Sequence, residues 1–487
     1  MHVAVAKVCI KHGTDMVTAS YTSPEMKALD EAARAAGVTV LNEAGLDPGM
    51  DHMEVMRIID GVKAEGGDIT HFFSVCGGLP TPEVADAERC PYMYKFSWSP
   101  VGVIRAAGSP ATYRHGGKVV QVPADDLLGS AIPFTDPWGV LNLECLPNRD
   151  SLVYGKLFGI SVSADTIFRG TLRYRGWSDL MHGMRCLGLF DERPLGNILE
   201  GVWENGRHLS WEQAVGALAH RHAATEAAPI QARTSPPPPL DWAATSGADG
   251  GGGPGRDSDG CDGPGKLGGL ARFLSARGVQ DPGRVLRVLR FLQAPATSAS
   301  GSPMATSLVH TAPVPTADTA APRADPSAAV VDGICGLLQQ RCGYGPGEAD
   351  MVLMHHSIGV RHRDGTEATH RSSLWLRGGA AAAAATAATT GVPGKGGGGA
   401  SGDSGGVGGG LVAASPAAAT AMARTVGLTC AIAAELVLDG VVCRPGMATP
   451  ACADVYRPAL GRLAEEGVCF ATSVAHGAHP PPLPPRT

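Results

Sequence analysis

Aromatic residues are scarce in this chain, at 5% of 487. No stripe of Lys and Arg interleaved with aromatics is present. The balance of 40 basic against 46 acidic residues gives a net charge of -6. Both features argue against a nucleic-acid partner. No apolar run approaches the length of a membrane span, so no membrane segment is expected. The 12 cysteines include no CxxC pair. That scatter fits reduced thiols in an intracellular enzyme better than a disulfide frame. Met1 leads straight into helix-like sequence, without the pattern of a signal or transit peptide. No internal repeat of useful period is visible.

The length suggests two to four domains, and 44% apolar residues suffice for a sizeable core. The excess of glycine (66) and proline (37) is confined to a few tracts. Residues 228–268, 294–328 and 378–417 read as disordered low-complexity inserts, and residues 479–487 as a Pro-rich tail.

Outside the tracts, helix and strand alternate. Val3 to His12 reads as a helix and Met16 to Ser20 as a strand. Ser23-Pro24-Glu25 starts a second helix: a capping Ser, Pro at the first helical position, then an acid in the first turn. Met26, Leu29, Ala33 and Ala36 continue it at helical spacing. Val38 to Leu41 is a strand, about Asp51 to Ala64 an amphipathic helix, and Ile69 to Val75 a strand. Such alternation implies an α/β layer with parallel pairing. A nucleotide-binding sheet begins with a strand, a Gly-rich turn and a helix that holds the pyrophosphate. This chain opens on a helix and has no GxGxxG near its start. The expectation is the C-terminal half of a Rossmann-like unit, at residues 1–51.

Further strands are expected at Lys118–Val122, Thr166–Arg169, Thr171–Tyr174, Asp350–His356 and Ser372–Leu376. Phe96 and Trp98, alternating with Ser97 and Ser99, read as a strand or edge segment with an apolar face in the core. Helices are expected at Trp211–His220, Leu270–Leu292, Ala329–Arg341 and Thr420–Leu438.

Ligands of open α/β sheets bind beyond the C-terminal strand ends. Two loops lie there: Thr18 to Tyr21 and Gly45 to Gly49. The plainer reading of Asp47-Pro48-Gly49 is good turn chemistry. His220 with His222, and His355 with His356, invite a metal reading. They lack Cys or carboxylate partners at ligand spacing, so no metal is expected.

The runs VTASYTSPEMKALDEAARAAGVTVLNEAGLDPGMDH, CGGLPTPE, YKFSWSPVGV, LNLECLPNRDS and FRGTLRYRGW occur in that order. They are followed by GYGPGEADMVLMHHSIGVRH and MARTVGLTCAIAAELVLDG. Together they resemble the saccharopine dehydrogenase and saccharopine reductase family. The resemblance covers most of the chain outside the low-complexity tracts, and is nearer the degradative type.

The resemblance implies oxidation of saccharopine, a secondary amine with three carboxylates, to glutamate and 2-aminoadipate semialdehyde. NAD is the implied cofactor, with NADP the alternative. It implies that Ser20, Tyr21, Asp47, Arg149, Thr171, Leu172 and Arg173 meet substrate. Ala19, Ser20, Leu46, Asp47, Pro48 and Ser99 would line the cofactor. Asp47 and Tyr21 are the candidate proton-handling residues, and Cys76 a weaker one, more simply read as a small buried thiol. His52 either helps organise the site or is a packed core histidine.

The implied architecture is a truncated Rossmann-like part and an α/β substrate and dimerisation domain (52–185 and 348–377). A helical domain (186–347) is inserted in it, and a C-terminal helical segment (418–478) follows. A homodimer is implied, and membership of a bifunctional polypeptide with lysine-ketoglutarate reductase is the further possibility. Cytoplasm is the expected compartment, with the mitochondrial matrix as alternative. A truncated enzyme is favoured over the tail of a bifunctional protein or an inactive fragment that only binds a partner. A reductase of polyamine-like amines fits less well, since its substrate needs fewer carboxylate clamps than Arg149 and Arg173 provide.

Overall fold

A computed structural model describes residues 2–88, 90–193, 266–293, 329–379 and 419–476, with isolated residues at 215, 218, 219, 296, 297, 303 and 304. The three low-complexity inserts fall almost wholly outside the described residues, as do the Pro-rich tail and the pair His220 and His222. Of the helix expected at Trp211–His220, only Val215, Leu218 and Ala219 are described, helical and buried.

The first elements are α1 (His2–His12), β1 (Met16–Val17), α2 (Pro24–Lys27), α3 (Asp30–Ala35), β2 (Thr39–Leu41) and α4 (Met50–Ala64). The expected second helix is thus broken into α2 and α3. Ser23 caps α2, its hydroxyl accepting the Met26 N–H at 3.2 Å, and Pro24 holds the first helical position. The strand expected to run to Ser20 ends at Val17, where the chain bends into the loop Thr18 to Tyr21.

The chain continues through β3 (Asp68–Pro80), α5 (Pro100–Ala107), β4 (Ala111–His115), β5 (Lys118–Val122), β6 (Ile132–Thr135), β7 (Asn142–Pro147), α6 (Leu152–Leu157), β8 (Thr166–Tyr174) and α7 (Trp177–Cys186). Next come α8 (Lys266–Ala276) and α9 (Pro282–Gln293), a two-residue pair β9 (Ala296–Thr297) and β10 (Pro303–Met304), and α10 (Val330–Arg341). The helix expected across Leu270–Leu292 is therefore two helices, parted at Gly278, whose φ of +81° ends the first. The last elements are β11 (Asp350–Arg361), β12 (Glu367–Arg377), α11 (Ala421–Leu438), β13 (Gly446–Ala448), α12 (Ala453–Glu465) and β14 (Ala471–His476).

Two sheets organise the site. The smaller is parallel, in the order β1-β2-β13, so a strand from the far end of the chain completes it. The larger has nine strands, with β14-β12-β11-β3-β8-β4-β5 as its main path and β6 and β7 joined beside β8. Only β3 and β8 pair in parallel within it. The α/β class is as expected, but parallel pairing is a minority in the large sheet.

Long β3 is buried on both faces, as a central strand covered on two sides must be. Phe73, Val75 and Leu79 belong to one core, with Tyr92, Tyr94, Trp177 and the helices α7 to α10. Cys76 belongs to another, with Leu41, Leu46, Met50, Met53 and residues of α11 and α12. Burial of this apolar area, at roughly 25 cal/mol per Å², supplies most of the drive that brings α4, α11 and α12 onto the sheet.

Two expectations need correction. Helix α11 is 18 residues long and, by length and composition, apolar enough to cross a membrane. Here Thr425, Thr429, Ile432, Ala433 and Leu436 are buried on its inner side, and the helix serves as packing. The segment around Phe96 and Trp98 is not a strand. Phe96 makes a single bridge to Gly343 and is buried, while Trp98 is 45% exposed, so the two rings do not share a core face.

Candidate active site

The loops after β1 and β2 lie side by side at the C-terminal ends of two parallel strands. Backbone bonds lock them together: Glu43 N–H donates to the Ser20 carbonyl (3.1 Å) and Ala44 N–H to that of Thr18 (3.0 Å). Thr22 N–H donates to the Glu43 carboxylate at 2.9 Å. The second loop closes on itself through Gly49, whose φ is +145°. A Cβ there would fall 2.2 Å from the Gly45 carbonyl oxygen, so only glycine fits. Asp51, in the first turn of α4, accepts the Gly49 N–H at 2.7 Å and pins the turn. The Asp47–Pro48 peptide in this loop is cis.

Facing the loops is β8. Alternation puts Arg169, Thr171 and Arg173 on one face of that strand, and the register pairs Ser74 with Arg169 and Cys76 with Thr171. The Arg169 guanidinium is buried and donates from Nη2 to both Asp47 and Asp51, the latter at 2.6 Å. It also lies 4.1 Å from the Tyr154 ring centroid. Tyr21 brings its hydroxyl 3.4 Å from both the carbonyl and the carboxylate of Asp47. Arg149, at a left-handed φ of +50°, sets its guanidinium 5.5 Å from the Tyr21 ring centroid. One cluster therefore holds Tyr21, Asp47, Asp51, Arg149, Tyr154 and Arg169.

Arg173 stands further along the same strand face. Its guanidinium carbon is 4.9 Å from the ring centroids of both Tyr94 and Trp177. It donates to the Leu172 carbonyl at 2.8 Å, and its Nε is buried without a hydrogen-bond partner. Among the described residues no carboxylate forms an ion pair with it. Its cross-strand neighbour Glu144 is spoken for, accepting the N–H groups of Gly176 and Ser178 at 2.8 and 2.6 Å. A buried guanidinium needs an anion.

Burial raises the pKa of Asp47 and Asp51, and the Arg169 charge opposes that rise. Tyr21 is pushed well above its ordinary value, first by desolvation and then by the Asp47 charge. The Tyr21 residue is 40% exposed, but the shift belongs to the hydroxyl end, which turns in to the carboxylate. Cys76 is raised in the same way, by burial and by Asp47 and Asp51, so its thiol stays protonated near neutrality. His52 is buried between Glu43 (3.5 Å) and Asp51 (3.4 Å), and desolvation followed by the Arg169 charge lowers it to about 4. It packs against Tyr154 and Phe158 as a neutral ring.

The remaining expected residues separate. Ser20 is in the first loop, its hydroxyl 2.8 Å from His2 Nε2. Ala19, Leu46 and Pro48 lie in the paired loops, Leu46 itself being core. Thr171 is half-buried on the Arg169 face. Leu172 points to the opposite face, fully buried against Gly77, and so can offer a ligand only its backbone. Ser99 is exposed as the N-cap of α5, and its side chain makes no capping hydrogen bond. His355 and His356 bond to Ser373 (2.8 Å) and Ser74 (3.0 Å) respectively. No group of three or more metal-ligating side chains exists among the described residues.

Residues 45–398 and 407–468 match the model of the saccharopine dehydrogenase C-terminal domain. The chain belongs to the saccharopine dehydrogenase family. Mouse mitochondrial alpha-aminoadipic semialdehyde synthase is 32% identical over 473 residues, 97% of this chain and 39% of that protein. The chain thus spans well under half of that relative. A saccharopine dehydrogenase [NADP(+), L-glutamate-forming] of Schizosaccharomyces pombe is 29% identical, across 96% of this chain and 80% of the relative. The apo saccharopine dehydrogenase (L-Glu forming) of Saccharomyces cerevisiae superposes with a TM-score of 0.65 at 26% identity, covering 97% of this chain and 82% of that one. Arg169 was not among the site residues expected from the sequence. The signal available was the two-residue spacing Arg169, Thr171, Arg173, which puts all three on one strand face.

The paired loops suit the nicotinamide end of a dinucleotide. They lie at the C-terminal ends of parallel strands, and Thr22 Oγ1 is buried there without a hydrogen-bond partner. Among the described residues the small sheet has no strand–glycine turn–helix unit to cradle a pyrophosphate.

Proposed function

We propose that this chain carries the saccharopine-oxidising site of a lysine-degrading saccharopine dehydrogenase, with NAD as cofactor and NADP as the alternative. The observation that carries the reading is Arg173, a buried guanidinium boxed by Tyr94 and Trp177 and lacking a carboxylate partner among the described residues, on the same strand face as the Asp47 cluster. A triply anionic amine fits that division of charge. Its carboxylates go to Arg173 and Arg149, and its cationic nitrogen to the acidic end formed by Asp47, Asp51 and Glu43, which Arg169 only partly neutralises.

Ala19, Ser20, Leu46, Asp47 and Pro48 would hold the nicotinamide end, and Ser99 would join them from α5. Bound there, the cofactor supplies the hydride acceptor. Asp47 takes the proton from the substrate amine and releases it to solvent; it then takes a proton from the water that adds to the imine carbon and returns it to the nitrogen as the C–N bond breaks. Tyr21 keeps its O–H across the neutral range and steadies the Asp47 carboxylate as a donor. Arg149 and Arg173 fix both ends of the substrate, so the reacting carbon and Asp47 meet in one geometry. Thr171 and the Leu172 backbone complete the substrate wall.

The relatives support this reading through their names, which give aminoadipic semialdehyde synthesis in mouse and glutamate formation in the fungal enzymes. The test is saccharopine-dependent reduction of NAD and of NADP by the purified protein, followed by absorbance, with glutamate measured as product. Faster turnover with NAD supports the degradative assignment. Turnover with NADP alone moves the chain to the reductase type. No turnover with either, in folded protein, sinks the reading.

A further inference from the structure

Asp47 is held by one cation. Arg169 reaches it from the middle of β8, where Gly170 and Phe168 face the opposite core and the strand is fixed by five pairings to β7 and six to β3. The guanidinium cannot swing away, since the Tyr154 ring covers it at 4.1 Å and Asp51 takes a second bond at 2.6 Å. Asp51 in turn is fixed by the Gly49 N–H of the loop that carries Asp47. A closed circuit results: the loop positions Asp51, Asp51 positions Arg169, and Arg169 positions Asp47.

We propose that Arg169 is a positioning residue of the reaction, forked between Asp47 and Asp51 so that the Asp47 carboxylate stays in its base form and is aimed at the substrate nitrogen. The proposal rests on the reading of Asp47 as the proton acceptor. Charged and titratable groups around Asp47 come from every neighbouring element: Asp51 and His52 from α4, Tyr21 from the first loop, Cys76 from β3 and Tyr154 from α6. Glu43 stands behind His52, and His356 of β11 and Arg173 of β8 lie further along the same sheet face. Of these, Tyr21, Tyr154 and Cys76 are neutral near pH 7, and His52 and His356 are too. Burial and Asp51 oppose ionisation of Asp47, and the adjacent Arg169 charge is the strongest influence that favours it. The sign follows. Without the guanidinium, Asp47 holds its proton to higher pH.

The experiment compares Arg169→Met, Arg169→Lys and Asp51→Asn by the pH dependence of kcat/KM for saccharopine. Arg169→Met should move the acidic limb up by at least one pH unit. Arg169→Lys, which keeps the charge, should restore at least half of that displacement. Asp51→Asn, which removes a like charge, should move the limb down. Infrared titration of the protonated-carboxyl band, assigned by its loss in Asp47→Asn, reads the same ionisation without turnover. It therefore separates failure of this proposal from failure of the substrate reading. A uniform drop in activity with an unmoved limb and an unmoved band, in variants with native circular dichroism, overturns the proposal. If Arg169→Met does not fold, Asp51→Asn still carries the test, and a limb and a band unmoved in that variant overturn it.

Discussion

The Arg173 guanidinium carbon stands 4.9 Å from the centroid of the Trp177 ring, and Tyr94 lies at the same distance on its other aromatic contact. Planar stacking of this kind is available to arginine and not to lysine. Arg173→Lys should therefore raise KM for saccharopine about 10- to 100-fold, corresponding to the loss of roughly 1.5–3 kcal/mol from a charge-assisted pair. The effect on kcat should be smaller. Steady-state kinetics with saccharopine checks this, and an unchanged KM would remove Arg173 from the substrate pocket. Arg149→Ala, at an exposed position, should cost less.

Asp47→Asn should lower kcat by about 100- to 10,000-fold, the usual worth of a positioned general base. Tyr21→Phe should cost less, since it removes a 3.4 Å contact to that base and leaves the base in place. Because the Tyr21 pKa is raised, the alkaline limb of the wild-type pH profile should persist in Tyr21→Phe. Its disappearance in that variant would assign the limb to Tyr21 and contradict the raised value.

Gly49→Ala should destabilise the fold by roughly 2–5 kcal/mol, combining backbone strain with a clash against backbone atoms that cannot rotate away. Gly13→Ala is the control. Its φ is +63° but nothing lies within 4 Å of the new Cβ, so about 1 kcal/mol is expected. Urea unfolding of both variants would show the difference. Equal midpoints would mean that the Gly45–Gly49 turn is looser than described.

Burial holds His52 and His355 down to about 4, and pushes His356 well below its ordinary value. The unfolded chain protonates its histidines from about pH 6.5, whereas these folded rings do not. Their contribution to stability is complete above pH 6.5 and is lost as the pH falls toward 4, by up to about 1.4 kcal/mol per pH unit for each ring. Asp47 and Asp51 act in the opposite sense. Their raised values let the folded state keep protons that the unfolded chain releases above its ordinary carboxylate range, which blunts the loss at the acid end. Urea midpoints should fall between pH 7 and 5. A midpoint that is flat over that interval would contradict the neutral buried histidines.

Tyr21, Asp47 and Arg149 could be picked out because each sits in a motif at a strand end or tight turn, where sequence and ligand geometry are local. Arg169 could not be picked with equal ease. Its role depends on two carboxylates more than 100 residues earlier, and pairing at that range leaves no local mark. Alternation along β8 was the only trace, and reading Thr166–Tyr174 as two strands concealed it. Leu172 entered through the family resemblance, and local sequence would have shown that it faces away from Arg173, because a strand sends neighbours to opposite faces. The elements that could be read were those with strong caps or long buried runs, such as α2, α4 and β3. Three-residue β13 carries too little pattern to be recognised, although it completes the sheet beneath the site.

That strand has a kinetic consequence. Thr39 pairs with Gly446, and Leu41 with Ala448, so about 400 residues must be synthesised before the sheet can close. At a translation rate of roughly 5–20 residues per second, the nascent acidic loop waits some 20–80 seconds on the ribosome for its last neighbour. During that interval Thr39, Val40 and Leu41 offer an open β-edge. A pulse-chase experiment with ribosome-stalled chains ending before residue 446 should find this region bound by chaperones or cut by protease, and release past 448 should protect it.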